Sequence, residues 1–352
     1  MIKMRKFKDS LRKIFICPTQ TILQAIQMLN DTASQILLVV GEEDRLTGTL
    51  TDGDIRKAIS DGKALDTPIS LVCNMSPKTL FNRSYEEALS LMNQYGFSRV
   101  PILDENGVPI DIICMEDILP GQLVHQKRLN KVVIMAGGRG SRLDPITRII
   151  PKPLLPIGDK PILELIMESF VKCGFSDFLI SVNYRKDFIK TWLAERSDLP
   201  FSVTCVEEGT FLGTAGSLAL MKEFLKETFF VSNCDILVDV NYTSALEFHR
   251  ENGYAFTVVG ALKKVNVPYG VIHLKGGEFD RIEEKPDVPL IVNTGVYILE
   301  PQCVELISEG EKIDMPDLIE RVQTSGCRVG VFPVHRKWID IGQWGEYKRA
   351  LE

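Results

Sequence analysis

The amino-acid sequence predicts an α/β protein: a mostly parallel, Rossmann-like sheet preceded by a smaller repeated βαββα module. Three observations carry this. β and α patterns alternate from Lys131 onward, the first third of the chain repeats itself at a fixed interval, and a glycine-rich turn follows the first strand of the alternating part. Alternation of this kind puts crossover helices on both faces of a parallel sheet. With 352 residues the chain exceeds one ordinary core, so two or more domains are expected.

The repeat comes first. A shift of 63 residues lays Ala25 on Ala88, Asn30 on Asn93 and Asp54-Ile55 on Asp117-Ile118, without gaps. The amphipathic helix "TILQAIQMLN" matches "YEEALSLMNQ", and the strand "ILLVV" matches "RVPIL". The turns "GEEDR" and "DENG" follow. After each turn a second strand ends in an acidic tetrad that opens another helix, "LTDGDIRKAI" and "CMEDIL". Such a period marks a duplicated supersecondary unit.

This block resembles a pair of cystathionine-β-synthase-type (CBS) modules, with repeats at about 10–66 and 73–122. The resemblance implies a domain over 1–125, a linker over 126–130 and a new domain over 131–352. It also implies clefts that take an adenine nucleotide or another nucleotide, and association into a homo-oligomer through the CBS modules. The family's Ser/Thr-x-x-Asp ribose motif stands as Thr51 and Asp54. In the second repeat Asp117 remains, but Cys114 replaces the hydroxyl and Asp111 stands where glycine is preferred.

In the second part the strand "KVVIMA" leads to helix "ILELIMESFVKCG", strand "DFLISVN" and helix "RKDFIKTWLAE". Strand "FSVTCVEE" and helix "AGSLALMKEFL" come next, then strand "TFFVSNCDILV", helix "TSALEFHREN" and strand "AFTVVGAL". In such sheets ligands lie beyond the carboxyl ends of the strands. There, after the first strand, the chain reads "AGGRGSRLDPITRIIPKPLLPIGDKP". Gly137, Gly138 and Gly140 can bring bare N–H groups against a phosphate, and Arg142 and Lys152 add full charge. Prolines 151 and 153 are expected to hold Lys152 in an extended segment. A Walker A loop would need Gly-Lys-Ser/Thr, and a dinucleotide fingerprint would need glycine where Leu143 stands.

The string resembles the signature of sugar-1-phosphate nucleotidyltransferases, roughly A-G-G-x-G-[ST]-R-L-x-P-[LI]-T…P-K-P-L, and the resemblance runs over about 131–352. It implies attack by a sugar-1-phosphate oxygen on the α-phosphorus of an NTP, with pyrophosphate leaving. Two anions must meet, so Mg²⁺ and several cations are expected. The resemblance makes Arg142 and Lys152 catalytic, and Asp235 and Asp340 metal ligands. It gives the NTP to Ala136, Gly137, Gly138, Gly140, Ser141, Gly213 and Thr214, and the sugar phosphate to Tyr269, Gly270, Glu284, Lys285, Asn293 and Thr294. Two departures stand out. Cys234 replaces glycine in the family's N-G-D and is expected to add bulk near the metal, and Gln343-Trp344-Gly345 replaces a common Thr-Pro pair. No second activity is expected.

"LGTAGSL" looks more like mannose-1-phosphate-type guanylyltransferases than thymidylyltransferases, and a CBS pair before this domain resembles the glucosamine-1-phosphate guanylyltransferases of legionaminic acid biosynthesis. GTP with glucosamine-1-phosphate or a mannose-1-phosphate-like sugar is therefore the favoured pair. A UTP- or dTTP-dependent glucose-1-phosphate-type transferase is the alternative, and a non-catalytic nucleotide sensor is the alternative of another class. The net charge of −6 argues against nucleic acid as a partner. No apolar run reaches the length of a membrane span, and no h-region follows the basic start (Lys3, Arg5, Lys6, Lys8, Arg12, Lys13), which is expected to be a solvated helical arm. Eight scattered cysteines and four histidines form no zinc pattern, and reduced thiols in a cytoplasmic protein are expected.

Overall fold

A computed structural model describes residues 11–32, 34–118, 127–196, 200–334 and 338–351. The expected basic arm before Leu11 and the beginning of the linker lie outside the described residues. The chain divides into two compact units, 1–124 and 125–352. No helix among the described residues is long and apolar enough to cross a membrane.

In the N-terminal unit the repeat is visible element by element. Helix α1 (Ile22–Thr32), strands β2 (Ile36–Val40) and β3 (Leu46–Thr51) and helix α2 (Asp52–Ser60) recur 63 residues later. Their counterparts are helix α3 (Tyr85–Tyr95), strands β4 (Arg99–Leu103) and β5 (Pro109–Cys114) and helix α4 (Met115–Ile118). A short strand β1 (Phe15–Ile16) pairs in parallel with β2, and an isolated bridge between Leu80 and Ile102 takes the same place in the second half. The halves are tied by Arg99 Nη1 donating to Gln35 Oε1 (2.7 Å) and by the Leu46 amide on Gly107 O (2.9 Å).

The C-terminal unit is built on a seven-stranded sheet. Its strands are β6 (Val132–Ala136), β9 (Asp177–Val182), β10 (Ser202–Glu207), β11 (Phe229–Asn233), β13 (Phe256–Asn266), β16 (Asp287–Leu299) and β17 (Val329–Val334), in the order β10-β9-β6-β11-β16-β13-β17. Only β16 runs against the others. The remaining strands form two-stranded ribbons: β7 (Pro156–Ile157) with β8 (Lys160–Pro161), β12 (Ile236–Val238) with β18 (Trp338–Asp340), and β14 (Gly270–Lys275) with β15 (Glu278–Glu284).

Each face of the sheet carries its own core. Val132, Ile134 and Ala136 of β6 pack with α5 (Ile162–Val171), α6 (Lys186–Glu195) and α7 (Tyr242–Glu251), where Phe170 stacks on Tyr242 at 3.7 Å. Val133 and Met135 face the other way, against α8 (Met315–Thr324) and two 3₁₀ turns, Gly216–Met221 and Pro301–Leu306. A strand apolar on both sides belongs in the middle of a covered parallel sheet, as the run "VVIMA" implies. Helix α9 (Trp344–Leu351) closes the unit.

Three local expectations are corrected. "AGSLALMKEFL" forms a six-residue 3₁₀ helix rather than an α-helix, because Gly213 and Gly216 are pressed against the backbone of Ile313 and Glu311. "TFFVSNCDILV" breaks at Cys234-Asp235 into β11 and β12, and β12 leaves the large sheet to pair with β18. Pro151 is extended, but Lys152 itself opens a 3₁₀ turn, Lys152–Leu154, which draws its side chain inward.

Candidate active site

The glycine turn leaves β6 at Ala136, at the carboxyl end of the parallel strands. Gly140 has φ +65°, which only glycine adopts without strain, and a methyl group there would press within 3.0 Å of Lys152 Cβ and 3.1 Å of Thr147 Cγ2. Thr147 Oγ1 donates to Gly140 O (3.0 Å) and so braces the turn. Gly138 and Ser141 are exposed, leaving their surroundings open to a ligand.

Two carboxylates meet beyond this turn. Ribbon pairing sets Ile236 opposite Asp340, and Ile341 N donates to Asp235 O (2.9 Å), so Asp235 and Asp340 become neighbours across the ribbon. Gly342 marks the centre. A methyl group on it would lie 2.6 Å from Asp340 Oδ1, 3.2 Å from Arg142 Nη2 and 3.2 Å from Asp235 Oδ2. Lys152 is buried and its ammonium donates to Asp235 Oδ2. A buried carboxylate without a counter-charge would be costly, and the ammonium supplies one. Two carboxylates and two cations thus surround one small space.

The departures from the family pattern acquire physical reasons here. Cys234 is buried and packs into the core with Ile236 and Val238. Burial pushes its thiol up to about 12, so it stays protonated and is no nucleophile. Trp344, in the segment that replaces Thr-Pro, donates from Nε1 to Asp144 O (3.2 Å), and Tyr347 donates to Pro156 O (2.9 Å). Both tie α9 to the loop that carries Arg142.

The sugar-phosphate candidates fall into two groups. Gly270 pairs with Glu284 across the β14–β15 ribbon, and Lys285 N donates to Tyr269 O (3.2 Å), so these four residues form one exposed cluster. Asn293 and Thr294 lie on β16, next to the Asp235 turn: a methyl group on Gly295 would be 2.5 Å from Asn233 Nδ2 and 3.3 Å from Ile236 Cγ1. Asn293 Nδ2 donates to Tyr297 Oη (2.9 Å). Thr294 turns its hydroxyl into the sheet, donating to Val259 O (2.7 Å) and accepting from Val296 N (3.2 Å).

Gly213 has φ +83° and is buried. The Thr214 amide and hydroxyl both engage Asp314 Oδ1, at 2.8 and 3.2 Å. In the N-terminal unit Thr51 and Asp54 form a capping box at the start of α2: Thr51 N and Oγ1 both donate to Asp54 Oδ2 (2.7 Å). Asp117 accepts from Cys114 N (3.0 Å) in the same manner, and Asp111 is held by Arg83.

Glu208 was not among the residues singled out from sequence. Its buried carboxylate accepts from Ser181 Oγ and, through Oε2, from Leu212 N (3.3 Å). A methyl group on Gly137 would lie 2.7 Å from its Oε1. One side chain therefore underpins both the glycine turn and the Leu212–Gly216 loop. A glutamate ending a strand beside a glycine-rich turn was the available signal. Trp338 is another: its buried Nε1 finds no hydrogen-bond partner among the described residues, two residues from Asp340, and Lys263 Nζ stands 5.2 Å from its ring.

Residues 131–352 match the model of the family described as "Nucleotidyl transferase", and residues 9–61 and 82–121 match the "CBS domain" model. The chain is 35% identical over 226 residues to the mannose-1-phosphate guanyltransferase of Yarrowia lipolytica, covering 60% of this chain and 61% of that protein. To the UTP–glucose-1-phosphate uridylyltransferase of Synechocystis it is 30% identical over 241 residues, covering 63% and 62%. The chain thus spans about three-fifths of the length of these relatives. The crystal structure of HddC from Yersinia pseudotuberculosis superposes with a TM-score of 0.51 at 25% identity, covering 63% of this chain and 98% of that one.

Proposed function

The chain belongs to the nucleotidyl transferase family, and from that premise we propose that it transfers a nucleotidyl group from an NTP, GTP favoured, to a hexose-1-phosphate, glucosamine-1-phosphate or a mannose-1-phosphate-like sugar favoured. A phosphate oxygen of the sugar attacks the α-phosphorus, the bond between that phosphorus and the β-bridging oxygen breaks, and pyrophosphate departs. The observation that carries this reading is the convergence of Asp235, Asp340 and Arg142 around Gly342, with Lys152 on Asp235, beside a glycine turn at the end of β6.

The turn's amides and Ser141 cradle the phosphate tail, and Arg142 and Lys152 balance its charge. The two aspartates fit Mg²⁺, an oxygen-seeking ion that is commonly held by one or two carboxylates together with water and substrate phosphates, and that supplies charge neutralisation when bound. Lys285 holds the sugar phosphate, and Glu284 and Asn293 meet hydroxyls. The base lies against Gly213. GTP is supported by the "LGTAGSL" form of the loop and by the Yarrowia relative, and UTP by the Synechocystis relative. The CBS pair adds a nucleotide-responsive module in a cytoplasmic homo-oligomer.

The test is a matrix of four NTPs against several hexose-1-phosphates, assayed for pyrophosphate. Turnover highest with GTP supports the reading, and highest with UTP or dTTP replaces the base. No turnover with any pair would leave a nucleotide sensor. Asp235→Asn should lower turnover by about 10²-fold or more while the fold persists.

A further inference from the structure

Helix α8 begins with an aspartate that does not cap it. Asp314 stands at the N-cap with extended backbone (φ −99°, ψ 160°), the usual place for a side chain that accepts from its own helix's first amides. Its carboxylate makes no such bond. It reaches instead to Thr214, a hundred residues earlier, and accepts from both the amide and the hydroxyl. Thr214 Oγ1 in return accepts from Met315 N (2.9 Å), the first amide of α8. Thr214 thus caps α8 in the aspartate's place, while the aspartate holds Thr214.

The surrounding chain is fitted to this arrangement. Ile313 N donates to Leu212 O (3.0 Å), and Ile313 O accepts from Ala215 N and Gly216 N (3.0 and 3.2 Å). A methyl group on Gly213 would strike the backbone of Ile313 and come within 2.8 Å of Asp314 Oδ1, so the segment 311–315 lies flat across the loop only because that position is glycine. The strap is anchored behind by Arg321 of α8, which grips Glu311 at 2.5 and 3.0 Å.

We propose that Asp314 is a positioning residue for nucleotide selection: by clamping Thr214 it holds Gly213 at its left-handed angle and sets the shape of the surface offered to the nucleobase. The inference rests on the reading that Leu212–Gly216 contacts the base. Thr214 then serves the loop's geometry, its amide and hydroxyl already engaged, and base recognition falls to the backbone that it holds in place.

The experiment is steady-state kinetics and nucleotide calorimetry on the full-length protein. Asp314→Ala should raise KM and Kd for the NTP by about 10-fold or more, with KM for the hexose-1-phosphate changed less than about 2-fold and kcat largely kept. Asp314→Asn keeps an acceptor for the Thr214 amide and should recover most of the loss. Thr214→Val, which keeps the amide bond to Asp314 and removes only the hydroxyl's, should raise the NTP KM in the same direction by less, and the double variant should be no worse than Asp314→Ala. Because the carboxylate does not cap α8, melting of Asp314→Ala should stay near that of the parent. An active parent with an unchanged NTP KM in Asp314→Ala, or an equal rise for both substrates, overturns the clamp alone. A parent inactive with every substrate pair overturns the reading beneath it, and the clamp with it.

Discussion

Gly342→Ala isolates the geometry of the proposed centre. The new methyl group would begin 2.6 Å from Asp340 Oδ1, whereas ordinary contact starts near 3.4 Å, so the carboxylate must retreat by about 0.8 Å. Arg142 Nη2 and Asp235 Oδ2, each at 3.2 Å, must give a few tenths of an ångström. A shift near 1 Å at reacting groups costs about 10²-fold in rate. Overpacking costs about 1–3 kcal/mol in a closed core, and the partly open Asp340 can swing aside, which puts the penalty at the low end. A loss of about 1 kcal/mol in a domain this size moves Tm by about 2–4 °C. The assay pairs pyrophosphate release with a thermal melt. The variant should melt almost normally and turn over about a hundredfold more slowly. Catalysis within about twofold of the parent would refute the claim that these three side chains form one centre.

Other expectations follow from the same contacts. If Lys285 holds the sugar phosphate as proposed, Lys285→Ala should raise KM for that substrate well above any change for the NTP, through loss of one charged contact; equal changes would contradict the proposed role. Glu300 is held below the usual carboxylate range by His249 Nε2 (3.1 Å) and Thr228 Oγ1 (2.7 Å). A depressed carboxylate contributes stability above its unfolded value near 4.5 and loses it as pH falls through the lower folded value. Acid unfolding should therefore be steeper in the parent than in Glu300→Gln, and matching acid limbs would exclude the linkage. Thr51→Ala should cost the N-terminal unit about 1 kcal/mol through the lost cap and abolish the heat of AMP binding to the full chain; persistence of that heat would place the nucleotide elsewhere.

Where structure is locally determined, it was legible. "ILLVV" and "RVPIL" are strands over the residues expected, because a short β-branched run between turn signals leaves little choice. The glycine turn was legible because its backbone needs are written in residue types. The break after Asn233 was not: "FFVSNCDILV" is apolar at both ends and reads as one strand, and what bends it is pairing with a strand more than a hundred residues away. The β14–β15 ribbon was passed over as well, although Gly276-Gly277 at its tip is a turn signal. Glu208, Asp314 and Gly342 share one difficulty. Each looks ordinary in its own stretch and acquires its role from a partner distant in the chain.

The ribbon that seats Asp340 beside Asp235 has a consequence for how competence is acquired. Without Trp338–Asp340 in place, Asp235 would keep Lys152 as its partner but lose the Asp340 carboxylate beside it. On the function proposed above, a molecule without that pairing would hold the glycine turn but lack the paired carboxylates. The pairing of β12 with β18 therefore brings in the second carboxylate together with the glycine around which Asp235, Asp340 and Arg142 gather.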